Sequence, residues 1–137
     1  MKKIMLFVLA LLFLFFFYIG CTSSISQIDL VGKWGGEHIS LTILDSTANL
    51  EYDCAHGTID EPISTDTDGN FEVTGMHIFE HGGPIRIDET LEKHPSLYKG
   101  HIEGEKMTLI LILKDTKTEI DTFWLTRGAE PIIYKCL

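Results

Sequence analysis

The sequence predicts an all-β domain of about eight short strands, arranged as a small antiparallel up-and-down β-barrel or, alternatively, a β-sandwich. Three observations carry this expectation. No stretch beyond residue 30 holds a helical period of useful length. Short alternating or β-rich runs recur instead, at roughly 8–12-residue spacing. Clusters of Asp, Gly, Ser, Asn and Pro divide them. About eight such strands in roughly 110 residues must close on themselves or stack as two layers.

The first alternating run is Ile39-Ser40-Leu41-Thr42-Ile43, with its three aliphatic residues on one face. Leu50 to Cys54 alternates again, and Ala55 to Ile59 continues as a short further strand. Asp66-Thr67-Asp68-Gly69-Asn70 is a strong turn. Phe71 to Thr74 follows, and Gly75 predicts a bulge or bend before Met76 to Glu80. His81-Gly82-Gly83-Pro84 is loop, and residues 88–95 read as one or two helical turns capped by Asp88 and stopped by Pro95. Tyr98 to Ile102 is a strand, and Glu103 to Lys106 a hairpin turn. Met107 to Leu113 is apolar on both faces and reads as a central strand. Lys114 to Lys117 turns the chain into Ile120 to Arg127, and Ile132 to Cys136 reads as a last strand after the Gly128 to Pro131 turn.

The first twenty residues belong to a different class. Lys2 and Lys3 precede sixteen consecutive apolar residues, Ile4 to Ile19. That pattern is a secretory signal, short for a bilayer span of about 20 residues. Its end, Tyr18-Ile19-Gly20-Cys21, resembles a bacterial lipobox, with Tyr18 standing where Leu is usual. The resemblance implies cleavage after residue 20, acylation of Cys21 and a hold on the lipid bilayer through its acyl chains. Residues 21–29 then form a lipidated cysteine and a flexible polar tether, and 30–137 the folded domain. The implied address is the bacterial cell envelope, at the outer membrane in a diderm because no Asp follows the cysteine.

Charge excludes one class of partner. Of 11 Lys/Arg, two lie in the leader, which leaves nine against 20 Asp/Glu and a net of −11 for the rest. Phosphate neutralisation cannot drive nucleic-acid binding on such a chain. A polybasic hold on anionic lipid is disfavoured for the same reason.

Gly32-Lys33-Trp34 near the start and Phe123-Trp124-Leu125-Thr126-Arg127-Gly128 near the end make the barrel the preferred architecture. The pair resembles the calycin superfamily, which includes lipocalins, avidins and bacterial metalloprotease inhibitors. The resemblance implies that Trp34 opens the first strand and that Arg127 packs over its indole at the closed end, as a cation–π contact. Asp53 to Gly57, Glu80 to Pro84 and the ending Lys135-Cys136-Leu137 also resemble a group of uncharacterised small bacterial secreted proteins.

The three cysteines form an odd set. Acylation of Cys21 leaves Cys54 and Cys136, which outside the cytoplasm are expected to pair as a disulfide. The competing reading makes Cys54 a reactive thiol beside His56. Residues i and i+2 on one strand face lie about 7 Å apart, too far for a direct thiol–imidazole hydrogen bond.

Six histidines is a high count for an acidic chain. The set of interest is Glu37, His38, Asp53, His56, His77, Glu80 and His81; His94 and His101 read as surface residues. His77 and His81 lie about 13 Å apart on a strand, so they do not form a helical zinc motif. A zinc site would have to be assembled across strands, from His38, His56 and His81 with a carboxylate. Without metal, His38, His56 and His81, with Glu80 near, are expected to converge on one ligand-binding pocket at the open end. Gly82-Gly83 allows close approach of backbone to a ligand or simply a tight turn. Asp66-x-Asp68-Gly69-Asn70 has part of a calcium loop but His77 where the twelfth-position Glu belongs. The chain holds no Gly-x-Ser-x-Gly elbow, phosphate loop or dinucleotide fingerprint.

These features favour a binding module over an enzyme: a membrane-anchored barrel that takes a small molecule or a partner segment at its mouth. The alternatives are a calycin-type, protease-inhibitor-like interaction protein and a metal-dependent hydrolase using the histidines.

Overall fold

The computed structural model describes residues 30–84, 86 and 88–136. The expected signal peptide, Cys21 and the tether lie outside the described residues. Eight strands close into one antiparallel barrel in chain order: β1 (Gly32–Gly36), β2 (Ile39–Ile43), β3 (Ala48–Tyr52), β4 (Ala55–Ile59), β5 (Asn70–Phe79), β6 (Lys93–Glu103), β7 (Lys106–Leu113) and β8 (Thr118–Arg127). β8 pairs back onto β1 through Trp34 opposite Arg127, which removes both sheet edges.

Period-2 alternation builds the interior. β2 buries Ile39, Leu41 and Ile43, β3 buries Ala48, Leu50 and Tyr52, and β7 buries Met107, Leu109, Leu111 and Leu113. The expected central strand is thus asymmetric, since Thr108, Ile110 and Ile112 on its other face are only partly covered. Large rings inside need small residues opposite them. A Cβ on Gly100 would lie 2.1 Å from the Phe71 ring, so that glycine leaves the space the ring fills.

One end of the barrel is sealed. Trp34 is 1 % exposed, and its indole N–H donates to the Leu30 carbonyl at 3.1 Å. The Arg127 guanidinium lies over the indole, 5.2 Å from the ring centroid. Leu30, Ile63, Met107 and Leu125 belong to the same buried core.

Three local expectations are corrected. Gly75 is not a bulge, because β5 pairs with β6 in unbroken register from Asn70–His101 to Ile78–Lys93. The irregularity lies instead between Leu111 and Ile112, where β7 meets β8. Residues 88–95 form no helix: β6 begins at Lys93 and runs through Pro95, which sits opposite Met76. Pairing with β5 and β7 outweighs the local helix signals, and a proline near a strand's start is tolerated. The third correction is Ile132 to Cys136, which is no strand but a strap whose one bridge is Glu37 with Ile132.

That strap runs from the sealed end to the open one. Gly128 N–H donates to Lys33 O at 2.8 Å, Ile132 N–H to Gly36 O at 3.0 Å, and Tyr134 N–H to Asp53 Oδ1 at 2.8 Å. It crosses β1 over Gly35, where a Cβ would lie 2.1 Å from the Ala129 carbonyl oxygen. The Cys54–Cys136 disulfide fastens its far end, with 5.2 Å between the Cα atoms.

Candidate functional site at the barrel mouth

The end opposite Trp34 and Arg127 is open. A cavity of about 410 Å³ enters there, lined by His38, Tyr52, Asp53, Cys54, Ala55, His77, Phe79, Leu111, Ile120, Asp121 and Phe123. That size lies near the low end for small-molecule pockets, roughly 300–1,000 Å³.

Its walls are aromatic. Tyr52 contacts Phe123 with 5.3 Å between ring centroids and His77 with 5.2 Å, and His77 stands edge-on to Phe79 at 4.6 Å. Strand alternation places them: Phe71, Val73 and His77 are the buried positions of one parity along β5, with Phe79 partly buried at its end.

His77 is 2 % exposed, and neither ring nitrogen has a hydrogen-bond partner among the described groups. The Tyr52 ring packs against it, and the Tyr52 hydroxyl is buried next to that of Tyr98. Tyr98 donates its own hydroxyl proton to Met76 O at 3.0 Å. Each buried polar group left unmade costs about 1–3 kcal/mol. Burial, then the His94 and His56 charges, push His77 down to about 4, so its ring is neutral at pH 7. A neutral imidazole offers one donor and one acceptor. Burial, with the Tyr98 hydroxyl next in effect, holds the Tyr52 phenol well above its ordinary range.

The rim is polar. His38 occupies the β1–β2 turn with φ of 65°, a left-handed conformation uncommon for a side-chain-bearing residue. Its Nδ1 donates to Asp53 Oδ2 at 2.6 Å. The Tyr134 N–H first, and then His38, hold Asp53 below the usual carboxylate range. Asp53 thereby ties the first turn to the strap. His94 approaches Phe79 at 5.5 Å and donates through Nδ1 to Asp115 at 2.6 Å, which raises its pKa.

The four residues expected to form one pocket are distributed differently. His38 lines the cavity. His56 sits on the outer face of β4, where its Nδ1 donates to Glu80 at 2.6 Å. Lys135 joins that group through Glu51 at 2.7 Å and Glu80 at 3.7 Å. His81 lies in the loop after β5, bound to Gly82 O and Glu89, and both contacts raise its pKa, Gly82 first. Each of the three histidines thus has its own carboxylate. No group of three or more His, Cys, Asp or Glu is gathered as a metal ion requires among the described residues. Cys54 is in the disulfide, so it is not a free nucleophile.

His77, Tyr52, Phe79, Leu111 and Phe123 are the site residues that the sequence did not place together. Parity along β5 was the available signal: continued through Gly75, it carries the inward face from Val73 to His77. No family model, no curated protein and no solved structure matches this chain.

Proposed function

We propose that this chain is a lipid-anchored envelope protein whose barrel mouth binds a small, largely apolar molecule. One observation carries the binding half: an aromatic cavity of about 410 Å³ with the buried, unpartnered His77 imidazole on its wall. Buried polar groups in proteins are as a rule hydrogen-bonded, so this imidazole calls for a partner, and a ligand in the adjoining cavity would supply one. The anchored half rests on the residues of the leader, Lys2, Lys3, the apolar run and Gly20-Cys21. Kinship with the calycin barrels is part of the same proposal, supported by Gly32-Lys33-Trp34 beneath Arg127 at the sealed end.

The test is uptake of the fluorescent apolar probe N-phenyl-1-naphthylamine by the full chain in nanodiscs, with empty nanodiscs as blank. Saturable uptake of one molecule per chain is expected. It should vanish in Ala55→Phe, which fills the mouth while circular dichroism shows the fold retained. No saturable uptake by the wild type overturns the proposal, as does undiminished uptake by a folded Ala55→Phe.

A further inference from the structure

We infer that the molecule taken by this cavity is uncharged and ends in a group that both donates and accepts a hydrogen bond, and that His77 recognises that end. The inference rests on the mouth-binding proposal and narrows it to a ligand class.

The lining offers an anion no counter-charge. It contains no lysine or arginine among the described residues, and two carboxylates, Asp53 and Asp121, stand at the rim. The rim imidazole, His38, is already committed to Asp53. A carboxylate or phosphate entering past these groups would lose its water and meet only His94, whose charge Asp115 and Glu92 already balance.

A cation fares no better at depth. The groups around His77 are the rings of Tyr52 and Phe79, and His94 stands directly opposite it on β6. His94 is itself drawn toward the charged form by Asp115 and Glu92, and its charge opposes a second positive charge near His77. Asp121 is exposed and already accepts from the Thr122 N–H at 2.7 Å, so it holds a cation weakly and only at the rim.

What the cavity wall does carry is the buried His77 imidazole, neutral at pH 7, whose one donor and one acceptor have no partner among the described residues. The complement is an alcohol, an amide or a similar neutral group on a compact apolar body. Sites built to hydrogen-bond a hydroxyl reject the analogue lacking it, because their own buried groups are then left unpaired.

The experiment is titration of the full chain in nanodiscs with four probes that share one ring body: 2-naphthylmethanol, 2-methylnaphthalene, 2-naphthoate and 2-naphthylmethylamine, at pH 7. The alcohol is expected to bind about tenfold or more tightly than each of the other three. His77→Phe keeps a ring in place and should weaken the alcohol about tenfold while leaving 2-methylnaphthalene unchanged or tighter. A thermal transition no lower than wild type shows that this variant is folded. Equal affinity for alcohol and methyl compound, or tightest binding of the acid or the amine, overturns the inference and leaves mouth binding standing. If none of the four binds, mouth binding itself falls.

Discussion

The His77 imidazole stands edge-on to the Phe79 ring, with 4.6 Å between centroids and 84° between planes. The arrangement surrounds a polar ring with apolar ones and leaves both nitrogens without partners. Removing those nitrogens should therefore help the empty protein fold. His77→Phe is expected to raise stability by about 1–3 kcal/mol in urea denaturation at pH 7. A loss of stability would mean that the nitrogens are satisfied in solution.

The same residue sets a pH dependence. Its pKa falls from 6.5 to about 4 on folding. As pH drops through 6.5 the unfolded chain takes up a proton that the folded chain refuses until about pH 4. The stability His77 contributes is thus complete above pH 6.5 and is lost as pH falls toward 4, with a full loss on the order of 3 kcal/mol. His81 and His94, raised on folding, act oppositely: their contributions are present at low pH and disappear as pH rises through their folded values. Comparison with His77→Phe isolates the first effect. The variant's advantage should widen from pH 7 to pH 4.5, and a constant difference would contradict the depressed pKa.

The Cys54–Cys136 bridge closes a loop of 82 residues. Chain entropy alone makes such a closure worth about 4 kcal/mol. Cys54→Ser/Cys136→Ser should lose stability of that order and release the strap first. Hydrogen exchange at Ile132 and Tyr134 should then quicken ahead of the β2 and β3 amides. Two titratable thiols in the unreduced, unfolded wild type would show that the bridge is not formed.

At the sealed end, Arg127→Met should cost about 1 kcal/mol through loss of the cation–π contact. Trp34→Ala should cost about 3–5 kcal/mol, enough to threaten folding. The two tryptophans give a direct optical check, since Trp34 is 1 % and Trp124 71 % exposed. Iodide should quench one emitting population and spare a blue-shifted one. Full quenching would place Trp34 in water.

Much of the barrel was legible because its strands alternate. Ile39, Leu41 and Ile43 announced their own inward face, and the Glu103 to Lys106 turn announced its hairpin. The strap and the β6 start were not legible, since both are set by pairing with residues distant in the chain. Ile132 needs Gly36, and His94 needs His77. The site failed for a related reason. Density of polar residues pointed to His56 and His81, but each is satisfied by a nearby acid and faces outward or into a loop. A residue's face on the pleat says more about a barrel's interior than its polarity does, and assuming a bulge at Gly75 broke the parity that leads to His77.

The anchor makes a separate claim. The full chain should fractionate with membranes and carry an acylated N-terminal cysteine by mass spectrometry, and Cys21→Ala should remain uncleaved or partition differently. Identical partition and an identical N-terminus for both would remove the lipoprotein proposal without touching the barrel.

The mouth cavity is tested most directly by an NMR map of the isotope-labelled full chain in nanodiscs, recorded with and without 2-naphthylmethanol. Signals of Tyr52, Phe79, Leu111 and Phe123 should shift together, and the His77 ring nitrogens should move as they gain partners. Shifts gathered instead around the exposed Trp124, or an unchanged His77 ring at saturating probe, would contradict binding at the mouth.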